Sequence, residues 1–103
     1  MNPEIIENMI RQGRDNYEAR LAAGQARLKL GDLARAIEHL QHAVEYKSDR
    51  TMAWQELGKA LNEHGDTGAA RSAWERGVEV AVANGDKQAE KVMAVWLKRL
   101  DKT

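Results

Sequence analysis

Apolar residues recur along this chain at intervals of three and four with polar residues between them, and nowhere in the sustained alternation of a strand. Ile5, Ile6, Met9 and Ile10 form the first such stripe; Pro3 suits a first helical turn, Asn2 can cap it and Gly13 ends it, so a helix is predicted over residues 3–12. So short a segment does not hold a helix alone in water and must lie on a neighbour. Asp15 or Asn16 can cap the next helix, which runs to about Leu30 with Tyr17, Leu21, Gly24 and Leu28 on one face and Ala19, Ala23 and Ala26 on another. Gly31 stops it and Asp32 starts a third helix, from Leu33 to about Tyr46, that presents Leu33, Ile37, Leu40 and Val44 with the small Ala36 and Ala43. Beyond the polar connector Lys47 to Arg50 the pattern returns: Trp54, Leu57, Gly58 and Leu61, a turn at Gly65-Asp66, then Ala70, Ala73, Trp74, Gly77, Val78 and Ala81. Asn84-Gly85-Asp86 is the last strong breaker, and Asp86 caps a helix from about Lys87 to Leu100 with Ala89, Val92, Met93, Trp96 and Leu100 on its apolar stripe. Six helices are predicted, in an all-α fold.

An offset of 34 residues superposes Gly24 on Gly58, Gly31-Asp32 on Gly65-Asp66, Ala36 on Ala70, and Val44-Glu45 on Val78-Glu79. Two copies of one unit are therefore present, residues 17–50 and 51–84. The matching residues are mostly small, as helices that approach closely require, and a period of about 20 to 50 residues marks a stacked repeat.

The run WQELGKALNEHGDTGAARSAWERGVEVA, residues 54–81, resembles a tetratricopeptide repeat, with Trp54, Leu57-Gly58, Ala60, Leu61, Gly65-Asp66, Ala70, Trp74 and Gly77 in the family's order and spacing. Residues 17–50 resemble a second copy through Gly24, Gly31-Asp32, Ala36-Ile37, Leu40 and Ala43. That copy departs where the family has large apolar residues: Arg20 stands opposite Trp54, Ala23 opposite Leu57 and Arg27 opposite Leu61. Neither copy has the usual closing proline, Ser48 and Val82 occupying those places. The resemblance covers about two thirds of the chain, and the whole is similar to small stand-alone bacterial proteins of this class. It implies one domain over residues 1–103: an antiparallel helix-hairpin stack, or α-α superhelix, with an extra N-terminal helix at 3–12, repeats at 17–50 and 51–84, and a C-terminal capping helix at 86–101.

Composition narrows the functional classes. Sixteen basic residues face sixteen acidic ones, and each half of the chain carries eight of each, so the basic stripe of a nucleic-acid binder is not expected. No cysteine is present, which excludes disulfides and thiolate catalysis. The apolar runs are too short and too interrupted to span a membrane, and the first residues lack a basic region followed by an apolar one, so a cytoplasmic location is the expectation.

Catalytic chemistry finds little support. His39 and His42 lie three apart with Glu38 and Glu45 near the same surface, but HExxH is absent and His64 belongs to another helix, so all are expected as solvated residues outside the first hairpin and no metal or cofactor is predicted. Asp32 and Asp66 follow glycines at helix starts, where capping accounts for both. The glycines form neither GxGxxG nor GxxxxGK[ST], and Ser48 and Ser72 have no suggestive His–acid partners. Trp54, Trp74 and Trp96 sit at apolar positions and are expected in the core, with Trp96 closing the end of the stack beside Val92, Met93 and Leu100.

The resemblance implies a non-catalytic protein–protein interaction module that binds a peptide or helix of a partner, with self-association through Leu21, Leu28 or Met52 as the alternative. In the family the first helices of successive units line a concave groove. That implies Glu18, Leu21, Gln25, Leu28 and Lys29 from the first copy. From the second it implies Met52, Gln55, Lys59, Asn62 and Glu63. The family's clamp for a C-terminal carboxylate draws Lys and Asn from three units; two units with one basic side chain each do not supply it. The apolar stripe of residues 3–12 is expected to cover Tyr17, Leu21 and Leu28 and so to occupy part of the groove, the competing placement being the opposite, alanine-rich face with the groove left open.

Overall fold

The computed structural model of the protein describes residues 2–102. Among them are six α-helices and no strand: α1 Pro3–Arg11, α2 Tyr17–Lys29, α3 Leu33–Tyr46, α4 Thr51–Glu63, α5 Thr67–Asn84 and α6 Lys87–Asp101. Side chains define most of the starts. Asn2 accepts from the Glu4 amide at 2.9 Å, Asn16 from Ala19 at 2.8 Å, and Asp66 and Asp86 from Ala69 and Ala89 at 3.1 Å each. Asp32 accepts from Arg35 at 3.4 Å. Of the two candidate caps for α2, Asn16 is used, which leaves the Asp15 carboxylate for other work. Gly31 and Gly65 take φ of +79° and +91°, the left-handed conformation that lets α2 turn into α3 and α4 into α5 within a few residues.

These turns make two antiparallel hairpins, α2–α3 and α4–α5; α3 packs on α4, and α6 packs on α5. One core joins Tyr17 of α2 with Leu40 and Val44 of α3, Leu57 and Leu61 of α4, and a series of buried alanines from α3, α4 and α5. A second core seals the far end, where Trp74 and Ala81 of α5 meet Ala89 and Met93 of α6, with Val78, Trp96, Leu97 and Leu100 packed around them. Trp96 thus closes the stack with Met93 and Leu100, and Leu97 stands in that core where Val92 was expected. Trp96 is half-buried where Trp74 is buried.

Glycine sets the depth of each contact. A Cβ added to Gly24 would lie 2.6 Å from Leu40 Cγ, and one added to Gly58 would collide with the Trp74 indole at Nε1 and Cδ1. Leu40 and Trp74 are themselves 34 residues apart, so the repeat is a repeat of one glycine-to-knob contact. Gly77 does the same between α5 and α6, where a Cβ would meet Met93 Sδ at 2.5 Å and Trp54 Cβ at 3.1 Å. Gly68 differs: only the Asp66 carboxylate lies within reach of a Cβ, at 4.0 Å, and nothing in the packing requires glycine there.

The placement of α1 overturns the expectation that it covers Tyr17, Leu21 and Leu28. Those three residues belong to the core shared with α3 and α4. Helix α1 runs along α2 and makes no approach to α4. It lies on the side of α2 that carries Arg20 and Arg27, where Glu7 bonds Arg27 and His39. Its apolar stripe is only partly used: Ile6 is buried, Met9 and Ile10 are half-buried, and Ile5 is exposed. The physical reason is that Arg27 sits on that face and is buried, and a buried guanidinium requires a carboxylate.

Two glycine substitutions should therefore move stability in opposite directions. Gly58→Leu is expected to lose about 3 kcal/mol by overpacking against Trp74, despite its better helix propensity. Gly68→Ala is expected to gain about 0.5–1 kcal/mol, the propensity difference alone. Urea unfolding measures both, and a Gly58→Leu protein as stable as wild type would remove the close-contact assignment.

Candidate functional site

Two features combine polar side chains: a buried ion network at the N-terminal end, and a pair of depressions that run across α2, α4 and α6. In the network, Arg27 of α2 donates Nε to Glu7 Oε2 at 3.0 Å and Nη2 to Oε1 at 2.6 Å, a two-bond fork onto α1. Arg27 also lies 3.5 Å from the Asp32 carboxylate that caps α3. His39 of α3 meets Glu7 Oε2 through Nε2 at 2.7 Å, and its Nδ1 lies 3.1 Å from Arg20 Nη1. Arginine can only donate, so Nδ1 is the acceptor and Nε2–H the donor to Glu7. Arg20 in turn grips Asp15 with two bonds of 2.7 and 2.9 Å. A continuous line of hydrogen bonds thus joins the α1–α2 connection, α2, α3 and α1.

His39 is buried, which corrects its assignment to the solvated outside of the hairpin. His42 is exposed, 3.9 Å from Glu45, and fits that assignment. Among the described residues no group of three or more His, Cys, Asp or Glu could hold a metal ion. Every buried side-chain polar atom of those residues is bonded, so the network is a fully satisfied joint between α1, α2 and α3. Its trace in the sequence is the presence of Arg20 and Arg27 at positions that are large and apolar in the second copy; only the fold pairs them with Glu7 and His39.

The depressions lie elsewhere. The first, about 790 Å³, takes Gln25, Leu28 and Lys29 from α2 and Glu56, Lys59 and Glu63 from α4, with Ala22, Ala26 and Leu30. The second, about 530 Å³, takes Lys59, Asn62 and Glu63 from α4, Thr67 and Trp74 from α5, and Trp96, Arg99 and Leu100 from α6. Lys59 and Glu63 border both, so the two adjoin over α4. Six of the ten residues expected in a groove line this surface: Gln25, Leu28, Lys29, Lys59, Asn62 and Glu63. The other four are placed differently. Leu21 packs on the core, Glu18 reaches Lys47 at 3.3 Å, Met52 is exposed outside both depressions, and Gln55 is half-buried with its carbonyl accepting Trp74 Nε1–H at 3.2 Å. Glu56, Trp96 and Arg99 also line the surface although the repeat pattern does not point to them, because that pattern assigns the groove to α2 and α4 and gives α6 only a sealing part.

The tetratricopeptide repeat model matches residues 6–49 and 21–88. A TPR repeat-containing protein of Pseudomonas aeruginosa is 46% identical over 99 residues, which span 96% of this chain and 94% of that one. This chain belongs to the tetratricopeptide repeat family. The solution structure of a Bordetella parapertussis protein superposes with a TM-score of 0.84 at 35% identity, covering 99% of this chain and 89% of the other. A tetratricopeptide repeat domain protein of Salinibacter ruber shares the fold, with a TM-score of 0.78 at 23% identity, covering 85% and 98%. A tetratricopeptide fold is in general a non-catalytic scaffold that binds proteins or peptides. No described helix of this one is long and apolar enough to cross a membrane.

The ion network of this tetratricopeptide protein should make its stability depend on acid. The Arg27 hydrogen bonds, helped by the His39 bond and opposed by burial, bring the Glu7 carboxyl from its ordinary 4.5 down to about 2. The unfolded chain therefore binds the Glu7 proton more readily, so this stabilisation is fully present above about pH 4.5 and is lost as pH falls toward 2. Asp15, lowered by its bonds to Arg20, adds in the same direction. Comparing urea midpoints of wild type and Glu7→Gln across that range isolates Glu7: the wild-type curve should fall more steeply. Parallel curves would mean that the bond contributes nothing.

Proposed function

We propose that the adjoining depressions over α2, α4 and α6 receive an extended or helical segment of a partner protein, and that this chain acts by holding that segment rather than by transforming it. The observation that supports the reading most is that α1 lies on the opposite side of α2, so the surface bordered by Gln25, Lys29, Lys59 and Asn62 is uncovered by the chain's own helices. The scale suits it: depressions of about 790 and 530 Å³ accept several side chains of a peptide. The half-buried apolar floor at Leu28 and Trp96 supplies burial, and the polar borders supply orientation. Self-association gains less support, because Leu21 packs on the protein's own core while Leu28 and Met52 share no depression that a second copy could fill.

Lys59 borders both depressions and has one distant partner, Glu56 at 3.9 Å, so it can be altered with little effect on folding. Peptides selected on the immobilised protein from a random display library are expected to bind wild type and to lose roughly tenfold in affinity on Lys59→Glu, with the melting temperature unchanged. Failure to select any peptide, or selected peptides that bind wild type and Lys59→Glu equally, would count against the reading.

A further inference from the structure

The two depressions are not alike. The one between α2 and α4 is balanced in charge, with Lys29 and Lys59 set against Glu56 and Glu63. The one between α4, α5 and α6 has Lys59 and Arg99 against Glu63 alone. Its wall is also the more aromatic: the rings of Trp74 and Trp96 lie 5.0 Å apart, inclined at 44°, with Leu100 beside them. Nowhere else on the described surface do a net positive border and a tryptophan pair share one depression.

Several donors at this site lack acceptors among the described residues. Trp54 Nε1–H donates to the Ser48 carbonyl at 2.9 Å and Trp74 Nε1–H to the Gln55 carbonyl at 3.2 Å, but Trp96 Nε1–H has no acceptor among the described residues. Arg99 makes no ion pair among them, whereas Arg20 and Arg27 at the other end are fully engaged. The amide of Asn62 and the hydroxyl of Thr67 likewise make no side-chain hydrogen bond within the described chain. A half-buried indole and a guanidinium normally find oxygen acceptors where water is displaced, and a guanidinium fits a carboxylate best because it can give two parallel bonds.

We infer that this depression recognises an acidic segment carrying a large apolar side chain, the apolar group against Trp74 and Trp96 and a neighbouring carboxylate on Arg99. The inference rests on the groove reading and names the partner chemistry at one end of it. The Trp96 N–H meets a backbone carbonyl of the same segment, and Asn62 the next peptide unit. A basic segment meets Arg99 and Lys59 as like charges and is rejected. The balanced depression over α2 and α4 tolerates either sign.

The probes are three capped pentapeptides: acetyl-Ser-Glu-Phe-Glu-Ser-amide, the same with both Glu replaced by Lys, and the same with Phe replaced by Ala. Each is titrated into the uniformly labelled full chain while the three indole N–H signals are followed by NMR. The acidic aromatic peptide should move the Trp96 signal and leave that of Trp54 in place, and should bind roughly tenfold more tightly than either control. Arg99→Glu should weaken it by about tenfold and turn the preference toward the Lys peptide. Trp96→Phe, which keeps an aromatic ring, should weaken it about threefold through loss of the N–H and of part of the ring surface. Equal or tighter binding of the Lys peptide would overturn the inference, as would no shift with any probe or Trp96 shifts that track protein concentration without peptide, the mark of a second copy in the site. Shifts confined to Gln25 and Lys29 would overturn it too while leaving the groove reading standing, which the library selection judges independently.

Discussion

Every other contact in this molecule is scaled by how closely its helices approach, and that distance is set where a helix offers a glycine and its neighbour offers a knob. Gly24 receives Leu40, Gly58 receives Trp74, and Gly77 receives Met93. The first two pairs are related by the repeat period, so the same separation is built twice and the hairpins stack in register. Alanines do the remaining work. Ala36, Ala43, Ala53, Ala60, Ala70 and Ala81 have no exposed surface, which lets backbones come together across α3, α4 and α5 while a few large residues fill the gaps. A core made this way is unforgiving of added volume, because the knobs Leu40, Trp74 and Met93 are themselves buried and have little room to move.

At the ends of the stack the same problem, covering a face that would otherwise meet water, has two different solutions. At the C-terminal end α6 brings Met93 and Trp96 onto Trp74 and the seal is apolar. At the N-terminal end α1 brings Glu7 to Arg27 and His39, and the joint is made largely of hydrogen-bonded charge. Buried ions cost desolvation that apolar packing does not, so a joint of this kind adds less stability than its bond distances suggest. What it does supply is direction: the fork from Arg27 and the bond from His39 both converge on Glu7 and fix where that residue of α1 meets α2 and α3. A loosely matched apolar helix could have slid along α2 or over onto the face shared with α4. With α1 joined to Arg27 and His39, the α2–α4 depression is left uncovered.

The resulting surface has a direction. From α2 toward α6 the depressions pass from balanced charge to a net positive border, and from an aliphatic floor to an aromatic one. A scaffold with no catalytic cluster can still discriminate between partners by such a gradient, since specificity comes from charges and donors left unanswered by the wrong segment. Lys59 and Glu63, shared by both depressions, are where the two characters meet.

Helix number, helix ends and the repeat were legible in the amino-acid sequence because each is a local property. The three- and four-residue apolar spacing, the Gly31-Asp32 and Gly65-Asp66 turns and the 34-residue offset act over a few turns of chain and need no knowledge of neighbours. The tight contacts at Gly24 and Gly58 were legible too, since a glycine among large residues in mid-helix costs helix propensity that a close approach of the neighbouring helix offsets. The seat of α1 was not. An apolar stripe at Ile5, Ile6, Met9 and Ile10 and another at Tyr17, Leu21 and Leu28 suit each other in pattern, but the second is consumed by α3 and α4, which only the packed fold reveals. His39 shows the same division: its position on a helix was readable, whereas its burial depended on Glu7, 32 residues away, arriving on α1. Six of the residues expected in a groove border the depressions, whereas Trp96 and Arg99 lie beside Lys59 and Asn62 only because α6 packs on α5 and reaches α4. Periodicity states which face of a helix is apolar, and tertiary structure decides which neighbour that face meets, because that choice is a competition among all the surfaces in the chain.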